Sequence, residues 1–472
     1  MNINPKHMLF RRRSESNVYR MFFWITLILG GIWVIRSVQA GDIKPLFDPT
    51  PVPTRMAISF ALEGDAQFTA GQLEDTDTST GAISAYLQAV KADPKNAQVW
   101  AQLARIQTYS SAMIVDIDKR KARLAEAIES AKKAVDLAPD DSNVHAIYAF
   151  VLDWNATYLD QDLARAMLAK ADQEAVTAQR LDPANVLALA FSAEILVDQG
   201  KWTQAQQNIE QALLRDASQM DVHRVHATVL ETGGDYALAI EAYDRAIAIT
   251  PNLTFLYARA GANYRRLAFD SPNKDVQNQL YEKSLEKFDQ AARINTQLKV
   301  NDPGPYLSIA KTYSQMGQFF VAIRNVQKTI EFQPANPVFY GELGVLYHKN
   351  RNYETGILAL ECAVRGCSAE KSCPARGDCG PKDVPAEVKR LPLRSDTIYY
   401  YDVYASELAA LSTPKKSYCD EAKAIAAEID ASEFVSDPNI AADIVVIRNI
   451  CNFDAETPTT TPATDGTPTV AP

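Results

Sequence analysis

The sequence predicts an all-α protein built from repeated helical hairpins. Residues 234–252 read GDYALAIEAYDRAIAITPN and residues 317–335 read GQFFVAIRNVQKTIEFQPA, so small, aromatic and closing proline residues recur in one order. Gly200 and Gly234 open two such stretches, at the spacing of about 34 residues that is typical of helical-hairpin repeats. With 472 residues the chain is also too long for one ordinary core. A fixed period in a long chain indicates stacked units that each contact their neighbours.

The first predicted element is a membrane helix. Residues 21–35, MFFWITLILGGIWVI, carry no charge, and Arg20 and Arg36 bracket them. Long arginine stems can reach the membrane surface, so a span over residues 19–38 is expected. The basic residues of segment 1–18 predict that this end stays in the cytoplasm while the rest of the chain is exported.

Two other interpretations of this segment remain open. Val38-Gln39-Ala40 is a small-residue pattern at which a signal peptide could be cut before Gly41, which would give a secreted protein. A buried core helix is the third interpretation. The anchor and the signal peptide agree that residues 41–472 lie outside the cytoplasm.

The segments on either side of the predicted array differ from it in composition. Residues 41–55 contain four prolines within KPLFDPTPVPTR and predict a semi-rigid polyproline stalk. Residues 452–472 are rich in Thr and Pro with few large apolar side chains, which predicts a disordered tail.

The positions that recur in each unit resemble those of the tetratricopeptide repeat family, whose unit is a pair of antiparallel helices of about 34 residues in total. Gly317 is followed at the same spacing by Arg351, which opens another unit. The matching positions include Trp100, Leu103, Ala104, Tyr306, Ala310, Tyr313, Tyr340, Leu343, Gly344 and Tyr347, and the closing prolines Pro94, Pro139, Pro183, Pro251 and Pro334. The resemblance implies a right-handed solenoid with units 1–8 over residues 56–366, and a degenerate ninth unit with a capping helix over 395–451.

Four units are longer than the usual unit of the family. The extra residues lie near 72–81, 111–126, 156–170 and 268–283, between the first and second helix of each unit. They are either drift in tolerant loops and lengthened helices or a rim that extends one edge of the array as a partner surface.

The resemblance also implies which side chains face a concave, peptide-binding groove. Carried over by position, these are Asp153, Glu194, Asp198 and Glu231 in the earlier units, and Arg265, Arg266, Lys311, His348 and Lys349 in the later units. The alternative explanation is that these residues are ordinary charged residues on helix surfaces and do not form a binding groove. If the groove is real, its basic half suits an acidic segment or a C-terminal carboxylate, with Arg265, Arg266 and Lys311 as the main contacts.

The six cysteines all lie in the last quarter of the chain, four of them in or beside a predicted Cys-rich loop over residues 367–394. No CxxC pair occurs, so disulfides are favoured over zinc or a redox pair. Antiparallel packing of the ninth unit and the capping helix predicts a Cys419–Cys451 bond. Cys373–Cys379 and Cys362–Cys367 are the expected remaining pairs, although four cysteines allow three connectivities.

Catalytic signatures are absent from the sequence. It contains no phosphate-binding loop, nucleophile elbow or HExxH pair, and His223 and His226 lack a third ligand nearby. We therefore expect no enzyme activity, no cofactor and no metal. Residues 1–40 carry a net charge of +5 and the whole chain −10, which leaves about −15 on the remainder and argues against nucleic-acid binding.

The expected function is a membrane-tethered extracytoplasmic scaffold that binds a protein or peptide of unknown identity. Two alternatives stay open. One is a secreted cell-envelope or carbohydrate-binding protein, for which Trp154 and Phe150 are the only hint of an aromatic platform. The other is an accessory subunit of a membrane enzyme complex.

Overall fold

The structure is a computed structural model that describes residues 17–40, 55–73, 80–114, 116–377, 379–380 and 383–451, with only the backbone of Gln39. Four predicted features therefore fall outside the described residues, wholly or almost so: the basic N-terminus, the Pro-rich stalk, the Thr/Pro-rich tail and most of the extra length near 72–81. The chain divides into two units, Met1–Met56 and Ala57–Pro472.

The first unit contains one helix, α1 (Val18–Gln39), of 22 residues. At about 1.5 Å per residue it is roughly 33 Å long, close to the hydrocarbon thickness of a bilayer. Its large apolar side chains, Phe22 and Trp24 among them, are exposed. The stretch Val18–Val38 is long and apolar enough to cross a membrane.

The second unit is an array of helix pairs. No strand occurs among the residues that the structure describes. The helices are α2 (Ala57–Thr69), α3 (Ala82–Ala92), α4 (Ala97–Ser111), α5 (Ile117–Leu137), α6 (Ser142–Ala156), α7 (Gln161–Leu181), α8 (Val186–Asp198), α9 (Trp202–Arg215), α10 (Met220–Gly233), α11 (Tyr236–Ile249), α12 (Thr254–Asp270), α13 (Lys274–Leu298), α14 (Gly304–Gln315), α15 (Phe319–Phe332), α16 (Pro337–Lys349), α17 (Tyr353–Val364), α18 (Ala369–Ala375), α19 (Ile398–Leu411), α20 (Cys419–Asp430) and α21 (Pro438–Ile450).

Local sequence signals end one helix pair and begin the next. Helix α3 ends before Asp93 and Pro94, since proline cannot continue a helix. The side chain of Asn96 then accepts a hydrogen bond from the Val99 amide at 3.2 Å and caps α4. Asn185 caps α8 in the same way. A closing proline followed by an Asn cap therefore marks both of these junctions between units.

Small residues let the paired helices approach closely. A Cβ atom added to Gly344 on α16 would lie 2.4 Å from Leu360 on α17, and one added to Gly261 would meet the Phe288 ring. The second helices bury Ala205, Ala239 and other alanines at the same interfaces, which brings the backbones together. The predicted all-α repeat fold is confirmed by this architecture.

The extra length between first and second helices is mostly helical. Helices α5 and α7 have 21 residues each and α13 has 25, and the turns that precede them are short. The lengthened helices expose apolar side chains such as Leu163 and Val276. In these three units the extra length is therefore lengthened helix, and a partner surface along that edge stays a prediction.

The C-terminal part of the array carries the disulfides. Cys362–Cys367, Cys373–Cys379 and Cys419–Cys451 are bonded, and the described residues contain no free cysteine. The segment expected to be a loop includes the short helix α18 and a backbone bridge between Cys367 and Val388. Helix α21 packs on α19 and closes the end of the array.

Candidate binding surfaces of the inner face

The inner face of the first six helix pairs is filled with aromatic side chains. Tyr109 on α4 stacks on Phe255 of α12 with ring centroids 5.3 Å apart, although the two residues are far apart in sequence. Phe150 lies 5.2 Å from Tyr109 and 4.5 Å from Phe191. Because these contacts join units that are distant in the array, the first helices of this half pack against one another across the inner face.

An ion pair is buried among these rings. The guanidinium of Arg224 donates to both carboxylate oxygens of Glu194 at 2.6 and 2.7 Å. Trp154 Nε1 donates to the same carboxylate at 3.1 Å. The guanidinium also lies 5.3 to 5.7 Å from the ring centroids of Phe150, Tyr109 and Trp154. This bidentate, aromatic-lined geometry compensates the cost of removing two charges from water.

A second buried pair closes the same region. Asp221 on α10 accepts a hydrogen bond from Arg105 Nε at 3.2 Å and one from the Tyr109 hydroxyl. Burial alone would raise the pKa of Asp221, but the charges of Arg105 and Arg224 lower it below its usual value. Helix α4 of the second unit is thus tied to α10 of the fifth unit by an ionised carboxylate.

The four acidic side chains expected to face a bound peptide lie in or around this network. Asp153 and Glu194 are buried, with 1% and 6% of their surface exposed, so a peptide cannot reach them. Glu231 accepts a hydrogen bond from Tyr243 at 2.9 Å and pairs with Arg259. Only Asp198 is exposed, and burial of its carboxyl group and the charge of Glu194 raise its pKa to about 6. The acidic half of the expected groove is therefore a packed interior, because large inward side chains fill it.

A cavity of about 400 Å³ remains beside this network, and we call it the inner cavity. Its lining comes from α5, α6, α8, α10, α11 and α12 and from the turns after α4 and α6. The lining residues are Ala112, Arg120, Trp154, Thr157, Tyr158, Asp198, Arg224, Thr228, Tyr243, Phe255, Ala258 and Arg259.

Three of the basic side chains of the later units line a surface depression, unlike the acidic side chains of the earlier units. Arg265, Lys311 and Lys349 line one depression of about 210 Å³ between α12, α14 and α16, which we call the basic depression. Its apolar lining includes Leu307 and Val345. The structure thus brings together three of the five basic residues that the sequence places on the inner face.

The three basic residues differ in how far their charged groups are already engaged by other groups of the protein. Arg265 donates to the Ser308 carbonyl at 3.1 Å, and its guanidinium lies 5.5 Å from the Phe288 ring centroid. Lys311 pairs with Glu342 at 3.0 Å. Lys349 is exposed and has no ion pair among the described residues. Two of the three cations therefore reach solvent from the rim of the depression.

The other two predicted basic residues lie elsewhere. Arg266 pairs with Asp270 one turn further along α12 at 3.1 Å, and its guanidinium lies over Tyr236 and Phe269. His348 contacts Glu407 of α19 at 3.2 Å. Neither residue lines the basic depression. The position-by-position assignment put Arg265 and Arg266 in one groove, whereas the structure places them on different surfaces.

Metal and carbohydrate sites have no geometric support within the part of the chain that the structure describes. No cluster of three metal-ligating side chains occurs there. His223 contacts the Ala217 carbonyl at 2.9 Å, and burial lowers the pKa of both His223 and His226. Phe150 is fully buried and Trp154 half-buried, so these two do not form an exposed platform.

Comparison with known proteins agrees with the repeat assignment. Residues 192–254 match the tetratricopeptide repeat family. Human IFIT1, solved as a dimer with m7Gppp-AAAA, aligns over 78% of this chain and 76% of its own with 13% identity and a TM-score of 0.51. That likeness shows the fold alone. The prediction of tetratricopeptide repeats is confirmed.

Two smaller structures align with part of the chain. TTC0263, a thermophilic TPR protein of Thermus thermophilus, has 16% identity over 44% of this chain and 98% of its own, with a TM-score of 0.35. YrrB, a TPR protein with an unusual peptide-binding site, has 18% identity over 44% of this chain and 94% of its own, with a TM-score of 0.30. No curated protein matches the sequence.

Proposed function

We propose that this tetratricopeptide-repeat protein is a membrane-tethered scaffold whose repeat array lies outside the cytoplasm and binds an acidic segment of a protein partner in the basic depression. The observation that carries this proposal is the convergence of Arg265, Lys311 and Lys349 from three successive units on one partly apolar depression. A rigid array presents such a surface with little ordering cost on binding.

The chemistry of the depression favours carboxylates. Lys311 and Glu342 form a half-exposed pair, with side-chain exposures of 47% and 21%, and such pairs contribute little stability. A partner carboxylate can therefore replace Glu342 at Lys311 at small cost. Leu307 and Val345 offer apolar contact to the same segment. An acidic segment with one apolar side chain fits these features.

Two features support the proposed location. Helix α1 has the length and composition of a membrane span, and its large apolar side chains are exposed. Three disulfides are typical of an oxidising compartment. Protease added to right-side-out membrane vesicles should digest the repeat array. Digestion only after permeabilisation would contradict the location.

The binding proposal is tested by cross-linking at the depression itself. A photo-reactive residue at Gln315, which lines the depression, should capture the partner through an acidic segment identified by mass spectrometry. The same residue at Leu214, which is 87% exposed on α9, is the positional control.

Charge reversal then separates the depression from general electrostatics. Lys311→Glu with Lys349→Glu should abolish the Gln315 cross-link, because both rim cations become repulsive. Arg266→Glu with Arg293→Glu makes the same change in net charge on other surfaces and should leave the cross-link unchanged. Equal loss in both double variants, or capture of a segment without acidic residues, would refute the proposal.

A further inference from the structure

The inner cavity has the dimensions of a small-molecule site. Its volume of about 400 Å³ falls within the range of roughly 300 to 1,000 Å³ that is usual for ligand pockets. It lies where the first helices of several units converge, apart from the basic depression, and the proposed partner contact does not use it.

Aromatic side chains form fixed walls of this cavity. Phe255 is held by its stack on Tyr109, and Trp154 is held by its hydrogen bond to Glu194. Tyr243 is buried and its hydroxyl donates to Glu231 at 2.9 Å. Walls that are already ordered lose little entropy on binding, so a planar ring can pack there favourably.

The three arginines of the lining differ in their partners. Arg224 is neutralised by Glu194, and Arg259 pairs with Glu231 at 3.0 Å. Arg120 donates to the Ile114 carbonyl at 2.7 Å and to the Tyr158 hydroxyl at 2.8 Å. Among the described residues Arg120 makes no ion pair. Its charge partly offsets the burial that raises the pKa of Asp302, a carboxylate outside the cavity lining.

Arg120 is therefore a positioned cation with unused donors. A guanidinium has five N–H groups, and only two hydrogen bonds hold this one. Its guanidinium carbon also lies 5.4 Å from the Tyr158 ring centroid, which restricts its orientation. The single acidic residue of the lining, Asp198, makes no ion pair within the described part of the chain, and burial of its carboxyl group and the charge of Glu194 raise its pKa to about 6.

We propose that the inner cavity binds a small organic acid that carries an aromatic ring, with the ring between the aromatic walls and the carboxylate on Arg120. This inference goes beyond partner binding at the basic depression. Arg120 and Tyr158 both belong to the extra length between first and second helices near 111–126 and 156–170. Those insertions thus supply the anion-binding corner of the cavity.

The test uses 3-phenylpropionate as the probe and full-length protein in nanodiscs. Calorimetry should give a dissociation constant in the millimolar range or below, with 3-phenylpropan-1-ol and 3-phenylpropylamine binding at least about ten-fold more weakly. Arg120→Gln should weaken binding of the acid by about ten-fold or more, because it removes a charge-assisted contact. Arg266→Gln, which removes the same charge outside the cavity, should leave it unchanged.

A second pair of variants tests the cavity without altering charge. Ala258→Phe places a ring inside the cavity and should abolish binding of the acid, whereas Ala258→Ser should retain it. Three results would each overturn the proposal: tighter binding of the amine than of the acid, binding of the acid by Ala258→Phe as tight as by the unaltered protein, or no binding of the acid at about 10 mM. Cross-linking from Gln315 should persist in Ala258→Phe, so the two proposals fail separately.

Discussion

Replacement of Glu194 by Gln should destabilise the inner face of the first six units. The substitution keeps the shape of the side chain but leaves the Arg224 guanidinium without its bidentate carboxylate. Both side chains are almost completely buried: 4% of the side-chain surface of Arg224 and 8% of that of Glu194 is exposed.

The size of the effect follows from what remains around Arg224. Removal of one partner of a buried ion pair typically costs about 3–5 kcal/mol. Three aromatic faces, the Tyr109 hydroxyl at 3.1 Å and the charge of Asp221 still stabilise the cation here. Gln also keeps one acceptor oxygen. We therefore expect a loss of about 2–4 kcal/mol in the free energy of unfolding.

Hydrogen exchange is the assay, because a repeat array need not unfold in one step. Amides of α4, α6, α8 and α10 should exchange faster in Glu194→Gln, by roughly 30- to 1,000-fold, whereas amides of α19 to α21 should not change. Glu361→Gln is the matched control, since Glu361 pairs with Lys371 on the surface and should cost under about 0.5 kcal/mol. A change in α4 and α10 no larger than that of the control would refute the argument.

Two further predictions concern single residues. Arg351 adopts a left-handed backbone (φ 59°) where the preceding unit has Gly317 (φ 76°). Arg351→Gly should therefore raise the free energy of unfolding, measured by urea titration, by about 0.5–1 kcal/mol, whereas Arg351→Ala should not raise it. Burial and the charge of Asp443 raise the pKa of Asp402 to about 7, so the folded chain binds more protons than the unfolded chain between pH 4 and 7. The free energy of unfolding should therefore fall as pH rises through that window. Asp402→Asn should flatten the pH profile and stabilise the chain at pH 8 by about 2–4 kcal/mol, and an unchanged profile in urea titrations would contradict the assignment.

The hairpins were predictable from the sequence because their determinants are local. Pro94 and Asn96 define one junction between units, and a proline with an Asn cap recurs at Asn185 and Asn336. The Cys419–Cys451 pair could be placed because the two helices it joins are neighbours in the chain and antiparallel. Each of these inferences needs only contacts within a unit or between adjacent units.

The contacts across the inner face were not predictable in that way. Arg105 and Asp221 are 116 residues apart, and their approach depends on a small rotation between units that accumulates over three repeats. No local pattern encodes that rotation. The family positions predict that Glu194 faces the groove, but they do not show that this side of the early units is packed. The only signal in the sequence was the run of large aromatic residues at inward positions of α4, α6 and α12.

The size of the inward side chains accounts for the different use of the two halves of the array. Where Tyr109, Phe150 and Phe255 point inward, rings from distant units meet and their charged neighbours become paired in the interior. Where α14 presents the small residues Ala310 and Ser314, the basic depression stays open. Large aromatic residues at those two positions would close the depression in the same manner. We therefore expect a partner that binds the inner face to contact the later units, whereas the earlier units present the inner cavity there.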